Sequence, residues 1–175
     1  MMTKTVQLLS VSLFAFCSLF ITSCKKDPTN ASGNQELTAG KGEVRFNYSG
    51  SQSGSFQSAL ATSTAVSSGA ITQIACTVVS GLTAKTVQII FPTSLAVGTT
   101  TQASAGADLT NGFLMSFATS GGAGWAIGGG TGAGFSVTVT KNSGTEMEGT
   151  FSGELGNDSD PSKVTLTSGY FHCKL

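Results

Sequence analysis

The fold is decided by residues 135–155, which read Phe135-Ser136-Val137-Thr138-Val139-Thr140-Lys141-Asn142-Ser143-Gly144-Thr145-Glu146-Met147-Glu148-Gly149-Thr150-Phe151-Ser152-Gly153-Glu154-Leu155. In the first half, apolar residues occupy every second position from Phe135 to Val139, and small polar residues lie between them. In the second half, apolar residues between Met147 and Leu155 share one phase. A period of two places apolar side chains on one face of a strand. The intervening Asn142-Ser143-Gly144 is typical of a hairpin turn.

The same period recurs along the rest of the chain from Gly42 onward. The further predicted strands are marked by Val44/Phe46/Tyr48, Phe56/Leu60, Ile74/Cys76/Val78, Val87/Ile89/Phe91, Phe113/Met115/Phe117 and Val164/Leu166/Phe171/Cys173/Leu175. In the last strand the apolar phase changes near Ser168-Gly169, which predicts a β-bulge. We expect residues 61–70 to form a link, and residues 93–111 to hold a loop or a short extra strand.

One-sided alternation of this kind is typical of antiparallel sheets with one face on the core. The sequence therefore predicts an all-β domain over residues 41–175. The favoured architecture is an antiparallel two-sheet β-sandwich of about eight strands. A flattened up-and-down β-barrel is the alternative, and closing it would require the first and last strands to pair.

Composition excludes several function classes. The chain has 175 residues, with nine basic and nine acidic side chains and a net charge of zero. A chain with this balance has no electrostatic footprint for nucleic acid and no polybasic patch for lipid headgroups. Its length suits one domain with a real core.

The amino-terminal segment carries an export pattern. Lys4 precedes an apolar run that ends at Ser23, and this run is too short and too rich in Ser and Thr for a membrane span. The stretch resembles a bacterial lipoprotein signal with Ile21-Thr22-Ser23-Cys24 as the lipobox. The resemblance implies cleavage before Cys24, diacylglycerol on its sulfur, and an acyl chain such as palmitate on the new amino terminus. An ordinary secretory signal is the alternative, and both export the protein.

Residues 24–40 are polar and aperiodic, which predicts a flexible tether after the signal peptide of residues 1–23. Several acyl chains together hold a protein firmly on a membrane. The start Cys24-Lys25-Lys26-Asp27 resembles lipoproteins of the Bacteroidota. We therefore expect an outer membrane lipoprotein, on either the periplasmic or the cell-surface face.

The carboxy-terminal strands extend this resemblance. The run from Gly134 to Leu155, followed by Lys163-Val164-Thr165-Leu166-Thr167-Ser168-Gly169-Tyr170-Phe171, is similar to small Bacteroidota lipoproteins of unassigned function. Those proteins end in comparable Val-Thr-Ile-Thr and Gly-Thr-Phe-Ser-Gly strands. The resemblance implies a β-sandwich-like fold, and it brings no catalytic residue, cofactor or substrate.

Two cysteines remain in the predicted domain. Cys76 and Cys173 both fall on inward strand faces, and export favours disulfides. A Cys76–Cys173 bridge would close a long loop and stabilise the domain by about 4–5 kcal/mol in the chain-entropy model. Two separate buried thiols are the alternative. A spacing of almost a hundred residues beside a single histidine does not suit a zinc site.

The Gly-rich run of residues 120–134 contains Trp125, the only tryptophan. A strand follows this run instead of a helix, and no lysine is near, so the sequence excludes a phosphate-binding loop. Two interpretations of Trp125 remain. It either folds onto the rim of the domain, or it presents its ring to a ligand such as a sugar, with the glycines giving access.

Three sets of acidic or polar side chains are candidates for catalysis or metal binding. Glu146 and Glu148 share one strand face, which favours a solvated surface over a glycosidase pair. Glu154, Asn157, Asp158 and Asp160 offer oxygens for Ca²⁺, but a polar turn that caps its own backbone explains them more simply. His172 lies on an outward face, and no nucleophile-elbow motif accompanies it.

The sequence thus predicts a lipid-anchored, non-enzymatic cell-envelope domain with a binding or structural role. No catalytic residue, metal ligand or cofactor is predicted, and the expected partners are the membrane through Cys24 and a glycan or protein ligand. A carbohydrate-binding accessory of a glycan-uptake system is the first alternative, which predicts a row of exposed aromatic residues. A hydrolase is the second alternative.

Overall fold

The structure is a computed structural model that describes residues 37–59, 62–102, 113–127 and 134–175. The eleven strands among these residues are β1 Lys41–Gly50, β2 Gly54–Gln57, β3 Ser63–Ser68, β4 Ile71–Ser80, β5 Thr83–Pro92, β6 Gly98–Gln102, β7 Leu114–Thr119, β8 Gly124–Ala126, β9 Phe135–Asn142, β10 Glu146–Gly156 and β11 Lys163–Lys174. The described residues contain no α-helix, and thus no helix long and apolar enough to cross a membrane. Glu36–Leu175 form one compact unit.

The strands hydrogen-bond into one antiparallel sheet. Its main order is β2-β1-β11-β10-β8-β7-β5-β4-β3, while β9 pairs with β10 and β6 pairs with β9. The edge of β10 is shared, because β9 pairs with residues 147–153 and β8 meets it at Gly156. The first and last strands are also neighbours, with β1 paired to β11 from Lys41↔Lys174 to Gly50↔Val164.

The prediction of an antiparallel all-β domain is confirmed. The two-sheet sandwich is not confirmed, because the described strands form a single curled sheet. The expected number of about eight strands was too low, since β3, β6 and β8 were not among the predicted strands. The strand β3 lies within the predicted link of residues 61–70, and β6 within the ambiguous region of residues 93–111.

Alternating strands bury one continuous aromatic core. Phe46 stacks on Phe56 and meets the edge of Phe117, with ring centroids 5.1 and 5.3 Å apart. Phe151 contacts the rings of Phe46 and Phe135, with both centroid distances 5.9 Å. All five phenylalanines are at most 3% exposed. Burying large rings from facing strands is the main stabilising term of such a domain.

Glycines in the central strands lie under rings from neighbouring strands. Cross-strand pairing sets Phe151 opposite Gly169 and Phe171 opposite Gly149 on β10 and β11. A Cβ atom at Gly169 would collide with the Phe151 ring and carbonyl oxygen, and one at Gly149 would lie 2.7 Å from the Phe171 ring. Rings that cover strand glycines in this way fix the register of the pair.

The predicted bulge is confirmed at Ser168-Gly169. Asn47 pairs with Thr167 and Arg45 with Tyr170, so two residues of β11 oppose one residue of β1. Ser168 has a φ of 53°, and it is the only non-glycine residue with positive φ in the described part of the chain. The extra residue turns Phe171 and Cys173 inward after the exposed Thr167.

The sheet curls until β3 returns to the start of β1, where side chains form a seam. The Ala65 amide donates to the Gly40 carbonyl at 2.8 Å. The Gly42 amide also donates to Ser63 Oγ across this β1–β3 seam, at 3.3 Å. Beside the seam, Ser58, which follows β2, pairs with Val44: the Val44 amide donates to Ser58 Oγ and the Ser58 amide to the Val44 carbonyl, both at 2.8 Å. Ser58 and Ser63 are therefore buried polar residues with partners.

Several predictions fall outside the described residues. They are the signal peptide of residues 1–23, the lipidated Cys24, most of the tether, Leu60 and the glycines of residues 128–133.

Candidate functional site

The outer face of four adjacent strands carries a polar surface. The alternation that buries Val137, Phe151 and Phe171 points the intervening side chains of β9, β10, β11 and β1 outward. Register then aligns them across the strands, because Thr138 pairs with Thr150, Thr150 with Tyr170, and Tyr170 with Arg45. A second row pairs Ser136 with Ser152. These two rows are thus rich in hydroxyl groups, and Arg45 is their only charged side chain.

These rows line an open groove of about 550 Å³. Its lining residues are Arg45, Ser136, Thr138, Thr150, Phe151, Ser152, Ser168, Gly169 and Tyr170. The volume lies within the range of small-molecule sites. None of the lining residues is acidic, and Arg45, the only arginine of the chain, is their only cation. We call this site the outer-face groove.

Arg45 and Tyr170 form one wall of the outer-face groove. The guanidinium carbon of Arg45 lies 4.4 Å from the centroid of the Tyr170 ring, a cation–π contact. Arg45 Nη1 lies 3.7 Å from Glu43 Oε1, and the Arg45 side chain is 55% exposed. The Tyr170 hydroxyl donates to Glu148 Oε1 at 3.1 Å. Burial, followed by the nearby Glu148 charge, raises the pKa of Tyr170 to about 12, so the phenol stays protonated.

Four of the hydroxyl groups in the groove lining are available to a ligand. Those of Ser136, Thr150, Ser152 and Ser168 make no hydrogen bond to any other residue that the structure describes. A hydroxyl can donate one hydrogen bond and accept two. The bulge contributes to this arrangement, because the left-handed backbone at Ser168 places that residue in the lining. Strained backbone of this kind clusters at binding sites in proteins.

The predicted carboxylate pair lies beside the groove on the same outer face. Glu146 Oε2 accepts from Lys141 Nζ at 2.6 Å, and Glu146 Oε1 lies 2.6 Å from His172 Nε2. These hydrogen bonds, that from Lys141 first, lower the pKa of Glu146 to about 2. Glu146 is therefore ionised at neutral pH, and it is not poised to act as a general acid. His172 is half-buried in this cluster instead of fully exposed.

The interpretation of Trp125 as a ligand platform is wrong for this structure. Its side chain is 2% exposed and stacks on Phe117, with ring centroids 5.9 Å apart and an interplanar angle of 22°. The indole Nε1 donates to Ser162 Oγ at 3.1 Å. The physical reason is local, since β8 pairs with β7 and sets Trp125 opposite Phe117 on the inward face. Trp125 is thus a core residue with its polar atom satisfied.

Cys76 and Cys173 are both buried free thiols, so the structure contains no Cys76–Cys173 bridge. Cys76 Sγ donates to the Gly42 carbonyl at 3.8 Å, which connects β4 to β1 beside the β1–β3 seam. Burial raises the pKa of Cys76 to about 12 and that of Cys173 to about 11. Thiols held in this protonated form behave as small apolar side chains with little reactivity.

The acidic turn after β10 caps its own backbone. Asn157 Oδ1 accepts from the Ser159 amide and Asp160 Oδ1 from the Ser162 amide, both at 2.7 Å. Glu154 forms an ion pair with Lys163 at 3.0 Å. The side-chain and backbone hydrogen bonds from Ser162 lower the pKa of Asp160. Within the described residues, no group of three His, Cys, Asp or Glu side chains could hold a metal ion.

Comparisons with known proteins give no relative to guide the assignment. No protein-family model matches the chain, and no curated protein or solved structure is significantly similar to it.

Sequence reasoning missed the outer-face groove. The residues that line it were interpreted only as the polar phase of each strand, and their alignment depends on pairing between strands distant in sequence. Two signals were nevertheless present. The single Arg45 lies in the first strand, and the outward positions in the middle of the β9–β10 pair carry Ser or Thr, although β10 has glutamates towards both ends; the four positions are Ser136, Thr138, Thr150 and Ser152.

Proposed function

We propose that the protein is a lipid-anchored, non-enzymatic module of the cell envelope that binds a polar ligand in its outer-face groove. The observation that carries the proposal is the alignment beside Arg45 of Ser136, Thr150 and Ser152, whose hydroxyl groups have no hydrogen-bond partner among the residues that the structure describes. Such groups lose little when a ligand replaces their water, and each can form a hydrogen bond to it. The anchor is proposed from the lipobox pattern that ends at Cys24, with an outer membrane location on the periplasmic or surface face.

A binding role is favoured over hydrolysis because the carboxylates that could act as acid or base already form hydrogen bonds to other side chains. Both oxygens of Glu146 have partners, and Glu148 accepts from Tyr170. A glycosidase needs one carboxyl group with a raised pKa and a second across the scissile bond. The lowered pKa of Glu146 is opposite to that requirement.

The scaffold that we propose for this module is a flattened barrel, the alternative architecture of the sequence analysis. Its support is the pairing of β1 with β11, together with the return of β3 to β1 through the Ala65–Gly40 hydrogen bond. A sheet closed on itself has few free edges and holds a groove on its outer face rigidly.

The lipid anchor is tested by Cys24→Ala. In cells fed a labelled palmitate analogue, we expect the natural protein to carry the label and to sediment with membranes. The Cys24→Ala variant should carry none and should lose its firm membrane attachment, because two or more acyl chains are needed for stable anchoring. Cys17→Ala is the matched control and should behave like the natural protein. Unlabelled natural protein would contradict the anchor without affecting the groove.

The binding site is tested by Thr150→Val, which removes a hydroxyl while keeping the size and strand preference of the side chain. The full chain in detergent would be screened against an array of envelope glycans, and the dissociation constant of each hit measured. We expect Thr150→Val to weaken binding by roughly threefold to tenfold, the effect of one lost hydrogen bond.

Thr165→Val provides the matched control, because Thr165 is an exposed threonine of β11 outside the groove lining. Its dissociation constants should equal those of the natural protein. Equal affinities for the Thr150→Val and Thr165→Val variants would place the ligand elsewhere on the molecule.

A further inference from the structure

The chemistry of the groove narrows the class of ligand, provided that the proposed function is correct. Hydroxyl groups line the floor in two rows. Neighbouring strands lie about 4.8 Å apart, and outward residues of one strand recur about every 6.8 Å. The resulting grid of hydroxyl-bearing residues on β9 and β10 offers several polar contacts to one ligand. Sugar hydroxyls both donate and accept hydrogen bonds, as these side chains do.

Arg45 places a positive charge at one end of this grid, which favours a ligand with a negatively charged group. Its guanidinium carbon lies 4.4 Å from the centroid of the Tyr170 ring, and the Arg45 side chain is 55% exposed, so a ligand can reach it. Its ion pair with Glu43 is long, at 3.7 Å, and no acidic residue lines the groove. A guanidinium binds a carboxylate through two parallel hydrogen bonds, a geometry that an ammonium group cannot provide.

The alternative of a neutral sugar is less well supported. Neutral sugars bind to proteins largely by stacking on exposed aromatic faces, and Trp125 and Tyr48 are 2% and 5% exposed. The Tyr170 ring lines the groove, but Arg45 already lies over it. The groove lining contains one cation, and the chain has no net charge, so neither supports a polyphosphate or a nucleic acid as the ligand.

We propose that the outer-face groove binds an acidic saccharide, with a sugar carboxylate on Arg45 and the sugar hydroxyls on Ser136, Thr150 and Ser152. The bulge adds Ser168 to the lining of this site, next to Gly169 and Tyr170.

The test compares trigalacturonate with its methyl ester, which has the same skeleton without the charge. Binding to the full chain in detergent would be measured by calorimetry. We expect trigalacturonate to bind at least about tenfold more tightly than the ester, because a charge-assisted hydrogen bond is stronger than a neutral one. Arg45→Gln should reduce the affinity for trigalacturonate to that for the ester, and Arg45→Lys should give an intermediate value.

Lys163→Gln is the charge-matched control, since it removes one cation outside the groove and should leave both affinities unchanged. The unfolding midpoint of each variant would show that it is folded. Equal binding of trigalacturonate and its methyl ester would overturn the proposal of an acidic ligand. If Thr150→Val weakened the binding of both compounds equally, the groove would still be supported as the binding site. An Arg45→Gln variant that is folded and binds trigalacturonate normally would also overturn the proposal, as would binding of neither compound.

Discussion

Replacement of Phe151 by Ala is expected to lower the free energy of unfolding by about 3–5 kcal/mol. The Phe151 ring lies at the centre of the core, 3% exposed, and contacts the rings of Phe46, Phe113 and Phe135. Removing it leaves a cavity that the surrounding strands cannot fill, because their backbones are fixed by the sheet. Urea unfolding followed by the fluorescence of the buried Trp125 would measure the loss.

Leu82→Ala is the control for Phe151→Ala. Leu82 is fully exposed at 101% in the turn between β4 and β5, so its truncation should change the unfolding free energy by less than about 0.5 kcal/mol. Similar midpoints for the two variants would show that Phe151 does not lie in the core.

The opposite change, the addition of one methyl group at Gly169, is expected to lower the free energy of unfolding. In Gly169→Ala the new Cβ would collide with the Phe151 ring and with the Phe151 carbonyl oxygen. The ring can rotate away, but the carbonyl belongs to the paired strand. We therefore expect a loss of about 1–3 kcal/mol, the usual effect of overpacking.

Gly121→Ala is the matched control for this glycine. Its Cβ position has no neighbour within 4 Å, and its φ lies outside the left-handed region. We expect unchanged or slightly increased stability, by up to about 1 kcal/mol, because alanine restricts the unfolded chain. In the double variant Phe151→Ala with Gly169→Ala, the second substitution should cost less than it does alone. Strict additivity would show that Phe151 does not cover Gly169.

These predictions depend on cross-strand pairs, and pairs were the part of the fold that the sequence did not reveal. Alternation identified the inward residues of β1, β5, β9 and β10 correctly, because each strand carries its own period of two. The change of phase predicted the bulge at Ser168-Gly169 for the same local reason. The single curled sheet depends on β1 pairing with β11, more than a hundred residues away, and a one-dimensional pattern holds no such information.

The candidate site was less predictable than the fold. Trp125 drew attention because tryptophan is often a contact residue, but a three-residue strand buries it. The glycines and alanines that flank Trp125 show no apolar–polar alternation, so the sequence does not indicate that its side chain points inward. Arg45, Thr150 and Ser136 have the sequence context of ordinary exposed positions, and they line one groove because the distant β1 pairs with the last of the three consecutive strands β9, β10 and β11.

The β1–β3 seam implies that the domain resists local opening unevenly. One amide–carbonyl bond, from Ala65 to Gly40, and two side-chain bonds at Ser63 connect this junction, whereas continuous ladders of amide–carbonyl bonds connect β10 to β11 and β4 to β5. Separating β3 from β1 breaks few bonds and exposes little of the phenylalanine cluster. It is therefore the local opening with the lowest free energy. Thermal breathing should therefore begin at this junction, while the strands beneath the groove stay closed.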